Sequence, residues 1–224
     1  MGGEWSTYSL QDFLLFSPRT YYRLFEIHNR AVWPAQLLTT ALGVAVLALT
    51  VRGGVREGRT AAAILAACWL WVAWAYLLGR YGTINWTARY FAVGFVVQAL
   101  LLVWAAWRGR LTARPDAGRV RRTGVAVLAF ALVLQPLVGP LLAGRPWAQV
   151  ELFGIAPDPT IAATLGAALA AERTPWELLA IPLAWCAVGG ATAWAMGSPD
   201  APVMPAVAVA ALALAGWKTS PRTG

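Results

Sequence analysis

The chain contains long runs of apolar residues, and these runs restrict what it can fold into. A helix needs about 20 mostly apolar residues to cross a bilayer, because each residue adds about 1.5 Å toward roughly 30 Å of hydrocarbon. Five runs meet this requirement: 31–51, 60–79, 90–107, 123–143 and 176–196. We therefore predict an all-α fold, a polytopic transmembrane helix bundle.

Two weaker runs decide the number of spans. The run 153–171 is long enough, but Pro157, Asp158 and Pro159 interrupt it, and the run 203–217 is short. If both cross the bilayer, the bundle has seven spans. If 153–171 enters and returns to the same side, six helices span, and this is the alternative.

The charged residues favour seven spans and indicate an orientation. Only 12% of the 224 residues are charged and 59% are hydrophobic, whereas soluble domains carry about 25% charged residues. Seven spans put twelve of the eighteen Lys and Arg residues on one side, while six spans divide them evenly. Short basic loops stay in the cytoplasm. The Arg-rich loop 108–122 therefore predicts that the N-terminus lies outside and the C-terminus inside. The large excess of Arg over Lys, with abundant Ala and Gly, is typical of a GC-rich bacterial genome, so the predicted location is a bacterial inner membrane.

The composition also excludes several classes of protein. A disordered chain, a disulfide scaffold and an ordinary soluble enzyme do not fit it. Nucleic-acid binding is not expected, because membrane topology explains the cations better than a basic patch does. Cys68 and Cys186 lie inside apolar runs without metal-site or haem spacing, so we expect two buried apolar residues. No nucleophile–base pair or nucleotide fingerprint suggests an enzyme, and no cofactor or metal is expected.

The segment before the first span has a different pattern. Ser17 followed by Pro18 is typical of a helix start. One helix face then carries residues at i, i+3, i+4 and i+7, namely Tyr21, Leu24, Phe25 and His28. This predicts an interfacial amphipathic helix on the outer membrane surface. The predicted organisation is a periplasmic segment (1–30), a transmembrane helical domain (31–217) and a cytoplasmic tail (218–224).

Glu26 and His28 are the titratable residues that we predict at this interface. His28 is the only histidine of the chain, and beside Glu26 and Asn29 it could titrate near neutral pH. Because no second histidine or cysteine is nearby, we do not expect a metal site there.

Polar side chains at membrane depth are costly and usually face a partner or a cavity. The candidate ligand-binding residues of this kind are Asn29, Trp33, Gln36, Gln98, Gln135, Asp158 and Thr160. Seven spans would place them in the outer half of the bilayer or at its centre, which predicts one polar pocket that opens outward. The alternative is that they only bond neighbouring helices, with Asp158 in a solvated loop.

Two short stretches resemble each other, WPAQL at 33–37 and PWAQV at 146–150. Each would lie at the outer entry to a span and begin a three-span unit, as in the duplications of some transporters. Pro136, Gly139 and Pro140 interrupt the fourth span, and broken helices expose backbone groups that can bind ligands.

Four stretches together resemble a known family. They are NRAVWPAQ at 29–36, FGIAPDPT at 153–160, LG at 165–166 and IPLAW at 181–185. They are similar to a group of bacterial polytopic membrane proteins catalogued only as a domain of unknown function, some of which are labelled as transporter permeases. The resemblance covers roughly residues 25–205 and implies an architecture rather than an activity. Its members tend to carry cysteine between the two prolines, where this chain has Asp158.

These features favour a permease-like carrier or binder of a small solute, with an outward-facing polar pocket. In that hypothesis Asp158 is a proton or cation site, and the proline-broken fourth and fifth spans act as hinges. The alternative is a non-transporting accessory subunit that packs against other membrane proteins. The predicted partners are the lipid bilayer, a small solute, and membrane proteins or further copies of the chain.

Overall fold

Nine helices form the fold over the residues that the computed structural model describes, 16–114 and 118–219. The first four are α1 (Pro18–Ala31), α2 (Ala35–Arg52), α3 (Val55–Trp71) and α4 (Ala88–Arg108). The other five are α5 (Arg119–Ala129), α6 (Gln135–Leu142), α7 (Pro157–Ala170), α8 (Ala180–Ala195) and α9 (Val203–Thr219). The described part is 78% helical and contains no strand. The predicted all-α fold is confirmed.

Two of the long helical elements contain a π-helical segment. α3 continues into the segment Val72–Leu78, and the segment Phe130–Leu134 joins α5 to α6. Such wider turns often occur at functional sites, because they interrupt the regular hydrogen-bond ladder. The junction of α5 and α6 therefore divides the fourth apolar run of the sequence into two shorter helices.

Within the described part of the chain, five helical segments are long and apolar enough to cross a membrane. They are Ala35–Arg52, Val55–Thr83, Ala88–Arg108, Arg121–Leu142 and Trp176–Ala195. These segments coincide with the five strong apolar runs of the sequence. α9 is apolar but shorter, and α7 has only 14 residues. The structure thus has five candidate spans, and the count of seven is not confirmed and stays a prediction.

α1 forms where the sequence predicts it, and its apolar face packs on protein. The Ser17 Oγ accepts a hydrogen bond from the backbone N–H of Thr20 (3.2 Å), and Pro18 occupies the first turn. The buried residues of α1 are Leu24, Phe25 and His28. The Phe25 ring stacks on Tyr76, with ring centroids 5.0 Å apart. The amphipathic face therefore contacts the π-helical end of α3, and the location of α1 at a membrane surface stays a prediction.

α7 lies at the centre of the bundle. Every residue of α7 except Asp158 is buried, and the helix contacts α2, α3, α5, α8 and α9. Its 14 residues rise by about 21 Å, which is less than the roughly 30 Å of a hydrocarbon core. Protein covers most of the non-helical segment 150–156 that leads into α7. Irregular backbone is tolerated at membrane depth only in such surroundings.

Two glycines allow α5 and α7 to touch along their backbones. A Cβ on Gly124 would lie 2.5 Å from the backbone nitrogen of Ala170, and a Cβ on Gly166 would lie 2.5 Å from that of Leu128. Small residues are typical of close helix contacts in membranes. These glycines therefore allow α5 to pack directly against the C-terminal half of α7.

Lys218 binds the C-terminal end of α7. Its Nζ donates hydrogen bonds to the backbone carbonyls of Leu169 (3.2 Å) and Ala171. The last carbonyls of a helix lack intrahelical partners and carry partial negative charge, so an ammonium group stabilises them. At the same end, the backbone N–H of Glu172 donates to the carbonyl of Thr112 (2.7 Å). The last turn of α7 is therefore held at this end of the bundle, and its first turn lies at the opposite end.

Candidate functional site

A small cavity lies beside the first turn of α7. Its volume is about 50 Å³, which is enough for a few groups the size of water. Residues of α6 and α8, of the segment 145–158 and of the start of α9 line it. We define its charged and amide residues as the acid–arginine cavity, namely Gln135, Arg145, Glu151, Asp158 and Asp200.

Arg145 joins three parts of the chain across this cavity. Its Nη1 lies 3.3 Å from the Glu151 Oε1, and its Nη2 contacts the Asp200 carboxylate. The guanidinium lies 4.1 Å from the centre of the Tyr22 ring, which is a cation–π contact. A Cβ at Gly139 would lie 2.6 Å from the Arg145 Nη2, so glycine leaves the necessary space. Because the side chain is only 9% exposed, Arg145 is a buried cation held by two carboxylates.

Tyr22 connects α1 to the loop between α8 and α9. Its hydroxyl donates a hydrogen bond to the Ser198 Oγ (2.8 Å), and Ser198 in turn bonds to the Asp200 carboxylate. Burial raises the pKa of Tyr22 to about 12, so the hydroxyl keeps its proton near neutral pH and acts as a donor. α1 therefore closes one side of the acid–arginine cavity.

Asp158 and Gln135 bring two further polar groups to the cavity. The Trp185 Nε1 donates a hydrogen bond to the Asp158 Oδ1 (2.7 Å), and Asp158 is half-buried. Gln135 is 7% exposed, and its Nε2 lies 3.4 Å from the Met204 sulfur. The Gln135 Oε1 is buried and has no hydrogen-bond partner among the described residues. The cavity therefore contains an acceptor that lacks a donor.

The cavity contains more acidic than basic groups. Glu151, Asp158 and Asp200 surround a single guanidinium, that of Arg145. Burial raises the pKa of Glu151, and the negative charge of Asp158 raises it further. A carboxyl group whose ionised form is disfavoured in this way takes up a proton or gains from a nearby cation. The arrangement is therefore suited to hold a proton or a small cation.

A second site is an open groove between α1, the start of α2 and the short turn Trp147–Gln149. Its volume is about 500 Å³. We call it the Trp33–Trp147 groove, and its main lining residues are Asn29, Arg30, Trp33, Gln36, Trp147 and Leu152. The Asn29 Nδ2 donates hydrogen bonds to the carbonyls of Ala148 (3.0 Å) and Val150 (2.8 Å). These bonds bring the two similar stretches of the sequence, 33–37 and 146–150, together.

The structure divides the candidate ligand-binding residues between these two sites. Gln135 and Asp158 line the acid–arginine cavity, whereas Asn29, Trp33 and Gln36 line the groove. The residues that we predicted to line a single pocket therefore line two separate sites. The ligand-binding roles of these residues stay predictions.

Gln98 and Thr160 line neither site. The Gln98 Nε2 donates to the carbonyl of Leu178 (3.1 Å). The Thr160 hydroxyl accepts a hydrogen bond from the backbone N–H of Gly154 (2.8 Å) and donates to the carbonyl of Ala156 (2.7 Å). The Gln98 contact connects α4 to the short turn Trp176–Leu178 that precedes α8. The Thr160 contacts form the N-terminal turn of α7.

Sequence reasoning missed Arg145, Glu151, Asp200 and Tyr22. They belong to loops and to α1, and charges in such places are usually solvated. One signal was present: Glu151 and Asp200 fall on the same predicted side as Arg145, where opposite charges can meet.

His28 titrates differently from the sequence-based expectation. The residue is 1% exposed and packs edge-on against Tyr76, with ring centroids 5.4 Å apart. Burial lowers the pKa of His28 to about 4, and the positive charge of Arg80 lowers it further, while the backbone of Ile155 opposes the shift. The ring is therefore neutral near pH 7. Glu26 instead pairs with Arg30 (2.8 Å).

Replacing His28 by phenylalanine is expected to make the free energy of unfolding less sensitive to low pH. The folded-state pKa of about 4 lies below the ordinary value of about 6.5, so the unfolded chain binds this proton first as the pH falls. The wild-type protein should therefore lose up to about 3 kcal/mol between these two pH values, and His28→Phe should not. SDS-induced unfolding in detergent micelles at several pH values measures the difference. If the difference in unfolding free energy between the two proteins stays constant below pH ~6.5, the lowered pKa of His28 is contradicted.

Comparison with known proteins places the chain in one family. No curated protein and no solved structure matches it significantly. Within the described residues, no group of three or more His, Cys, Asp or Glu is placed to hold a metal ion. A model described as a family of unknown function (DUF6064) matches residues 19–222, a range that includes the cavity and the groove. The resemblance found in the sequence is thus confirmed at the level of a family without known function, and the chain belongs to the DUF6064 family.

Proposed function

We propose that this membrane protein binds a small cationic solute in the acid–arginine cavity and acts as a permease-like carrier for it. The observation that carries the proposal is the unpartnered Gln135 Oε1 beside the cavity carboxyl groups. A buried acceptor without a donor costs about 1 to 3 kcal/mol. A protonated amine would donate to this oxygen and offset the negative charge of Glu151 and Asp158.

The size of the cavity limits the solute. About 50 Å³ fits an ammonium or methylammonium ion, or a similarly small cation, without rearrangement. A larger solute would require Arg145 to leave its position between Glu151 and Asp200. Because Arg145 also contacts Tyr22, its release would remove one of the links between α1 and the loop between α8 and α9, and the hydrogen bond from Tyr22 to Ser198 would remain. In this proposal the cavity opens when the Arg145 side chain moves away from Glu151 and Asp200.

A carrier also needs an element that moves. The π-helical segment Phe130–Leu134 lies directly before α6, and α6 contains Pro136 and Pro140. Both features weaken the helical hydrogen-bond ladder next to the cavity, so α6 is the proposed hinge. The charge distribution of the loops supports a cavity that opens to the outside of a bacterial inner membrane.

A binding experiment tests the cationic solute directly. Purified protein in detergent micelles is titrated with ammonium, methylammonium or guanidinium chloride, with sodium chloride at equal ionic strength as the salt control. We expect a concentration-dependent rise of the melting temperature. Asp158→Asn and Gln135→Leu should each weaken the apparent affinity by about tenfold.

The matched control is Glu172→Gln. Glu172 pairs with Arg114 (3.2 Å) at the opposite end of the bundle, so its loss should leave the titration unchanged. The cavity hypothesis fails if Asp158→Asn and Gln135→Leu both respond like the wild type, or if no cation acts beyond the sodium control. Uptake of methylammonium into proteoliposomes then separates a carrier from a protein that only binds.

A second candidate function is that of an accessory subunit without transport. It is favoured by polar side chains that are satisfied between helices, such as the Trp69 Nε1, which donates to the Thr164 hydroxyl (2.8 Å). This function predicts stable co-purification with another membrane protein. It also predicts no response to any cation, so the titration above distinguishes the two candidates.

A further inference from the structure

We infer that the Trp33–Trp147 groove binds a glycerophospholipid of the surrounding bilayer, and that it prefers a headgroup with hydrogen-bond donors, such as ethanolamine. The site is separate from the acid–arginine cavity. The inference rests on two buried acceptors in the groove, on an arginine at its rim and on its position at the end of a candidate span.

The two acceptors belong to Gln36 and Asn29. The Gln36 Nε2 donates to the carbonyl of Asn29 (2.6 Å), so the orientation of the amide is set and Oε1 is left as an acceptor. Gln36 is 8% exposed, and its Oε1 has no partner among the described residues. The Asn29 Nδ2 likewise donates to two carbonyls, and its buried Oδ1 also has no partner within the described part of the chain. Both oxygens belong to residues that line the groove, and the proposed lipid headgroup supplies the missing donors.

The surroundings of these oxygens match an amphiphile. Trp33 and Trp147 are both exposed, and indole rings favour the membrane–water interface. α2 is a candidate span that begins at Ala35, and Leu37 and Leu38 on its first turn are exposed. Acyl chains could therefore continue from the groove along α2 into the hydrocarbon region.

Arg30 supplies the remaining group that a phospholipid needs. It lines the groove, its side chain is largely exposed, and its pairing with Glu26 (2.8 Å) is a surface ion pair of small energy. A phosphate can bind such a guanidinium through two hydrogen bonds. The groove thus offers, in order, acceptors for an ammonium, a cation for a phosphate, and an apolar path for acyl chains.

Lipid binding can be measured by native mass spectrometry of the full chain, released from micelles with added phosphatidylethanolamine or phosphatidylcholine. The two lipids differ only in the methyl groups that remove the donors of the ammonium. We expect the wild type to retain the ethanolamine lipid about tenfold better. Mono- and dimethylated ethanolamine lipids should give intermediate values, and this series needs no variant.

Two variants locate the site. Gln36→Leu should abolish the preference, so that the two lipids are retained about equally. Trp147→Ala should weaken the retention of both lipids. Trp217→Ala removes an exposed indole of α9 and should match the wild type. Asp158→Asn, in the acid–arginine cavity, should leave the preference unchanged, which separates this result from the cation experiment. The inference would be overturned if the wild type retained all lipids of the methylated series equally. It would also be overturned if Gln36→Leu still preferred the ethanolamine lipid.

Discussion

Replacing Arg145 by methionine is expected to destabilise the protein by about 3 to 5 kcal/mol at neutral pH. The substitution keeps much of the apolar volume but removes the cation that lies between Glu151 and Asp200. The carboxyl groups of the cavity would then be buried without a positive partner, and this is the most costly change that a single substitution can make here. SDS-induced unfolding in mixed micelles, followed by tryptophan fluorescence, measures the loss.

The pH dependence of this loss identifies its cause. In the folded protein the pKa of Glu151 is raised from the ordinary value, so ionisation of this group disfavours folding, and its contribution to stability falls as pH rises above about 4.5. The positive charge of Arg145 opposes this rise, so the pKa of Glu151 should rise further when Arg145 is removed. Arg145→Met should therefore lose less stability at pH ~5 than at pH ~8. An equal loss at both pH values would mean that packing, and not charge, is responsible.

Arg89→Met is the matched control. Arg89 is exposed at the first turn of α4, so its replacement should change the free energy of unfolding by less than about 0.5 kcal/mol. A combined variant, Arg145→Met with Asp200→Asn, removes one of the unpaired charges and should recover part of the loss. Failure of the combined variant to recover any stability would also speak against the electrostatic explanation.

Gly166→Ala is expected to destabilise the protein at every pH, with a net loss of about 2 kcal/mol. The added methyl group would lie 2.5 Å from the backbone nitrogen of Leu128 and 2.8 Å from the carbonyl oxygen of Gly124. Since backbone atoms cannot rotate away, α5 and α7 must separate, at a cost of about 3 kcal/mol. The better helix propensity of alanine offsets about 1 kcal/mol of this. The same unfolding assay measures the net change.

Gly94→Ala provides the comparison for this substitution. Gly94 lies within α4, and a Cβ there would meet no atom within 4 Å. Alanine should therefore be neutral or stabilising by up to about 1 kcal/mol. Equal effects of the two substitutions would show that α5 and α7 do not depend on the contact at Gly166.

The apolar pattern of the sequence predicted much of the fold. The five strong runs became five candidate spans, and Ser17 with Pro18 correctly marked the start of α1. The pattern could not show that α7 is enclosed, because hydropathy records how apolar a segment is but not what covers it. A helix that faces lipid and a helix that faces protein are equally apolar. For the same reason, the number of spans could not be derived from the run 153–171.

The candidate site was harder to predict than the fold. Asp158 and Gln135 stood out because they are polar residues within apolar runs, and both line the acid–arginine cavity. Glu151 and Asp200 did not stand out, since their burial results from the way that the segment 145–158 and the loop before α9 fold back on the bundle. Contacts of this kind join residues that are 55 positions apart, as Arg145 and Asp200 are. No local pattern in the sequence reports them.

The enclosed position of α7 has a consequence for biosynthesis. α7 is made before α8 and α9, yet it packs against both of them, and its C-terminal carbonyls bind Lys218 near the end of α9. During synthesis α7 therefore packs beside α5 first, and part of its surface stays uncovered until α8 and α9 have formed. α9, which is made after α7 and α8, completes the enclosure, so its packing decides when the first turn of α7, and with it Asp158, reaches its final position.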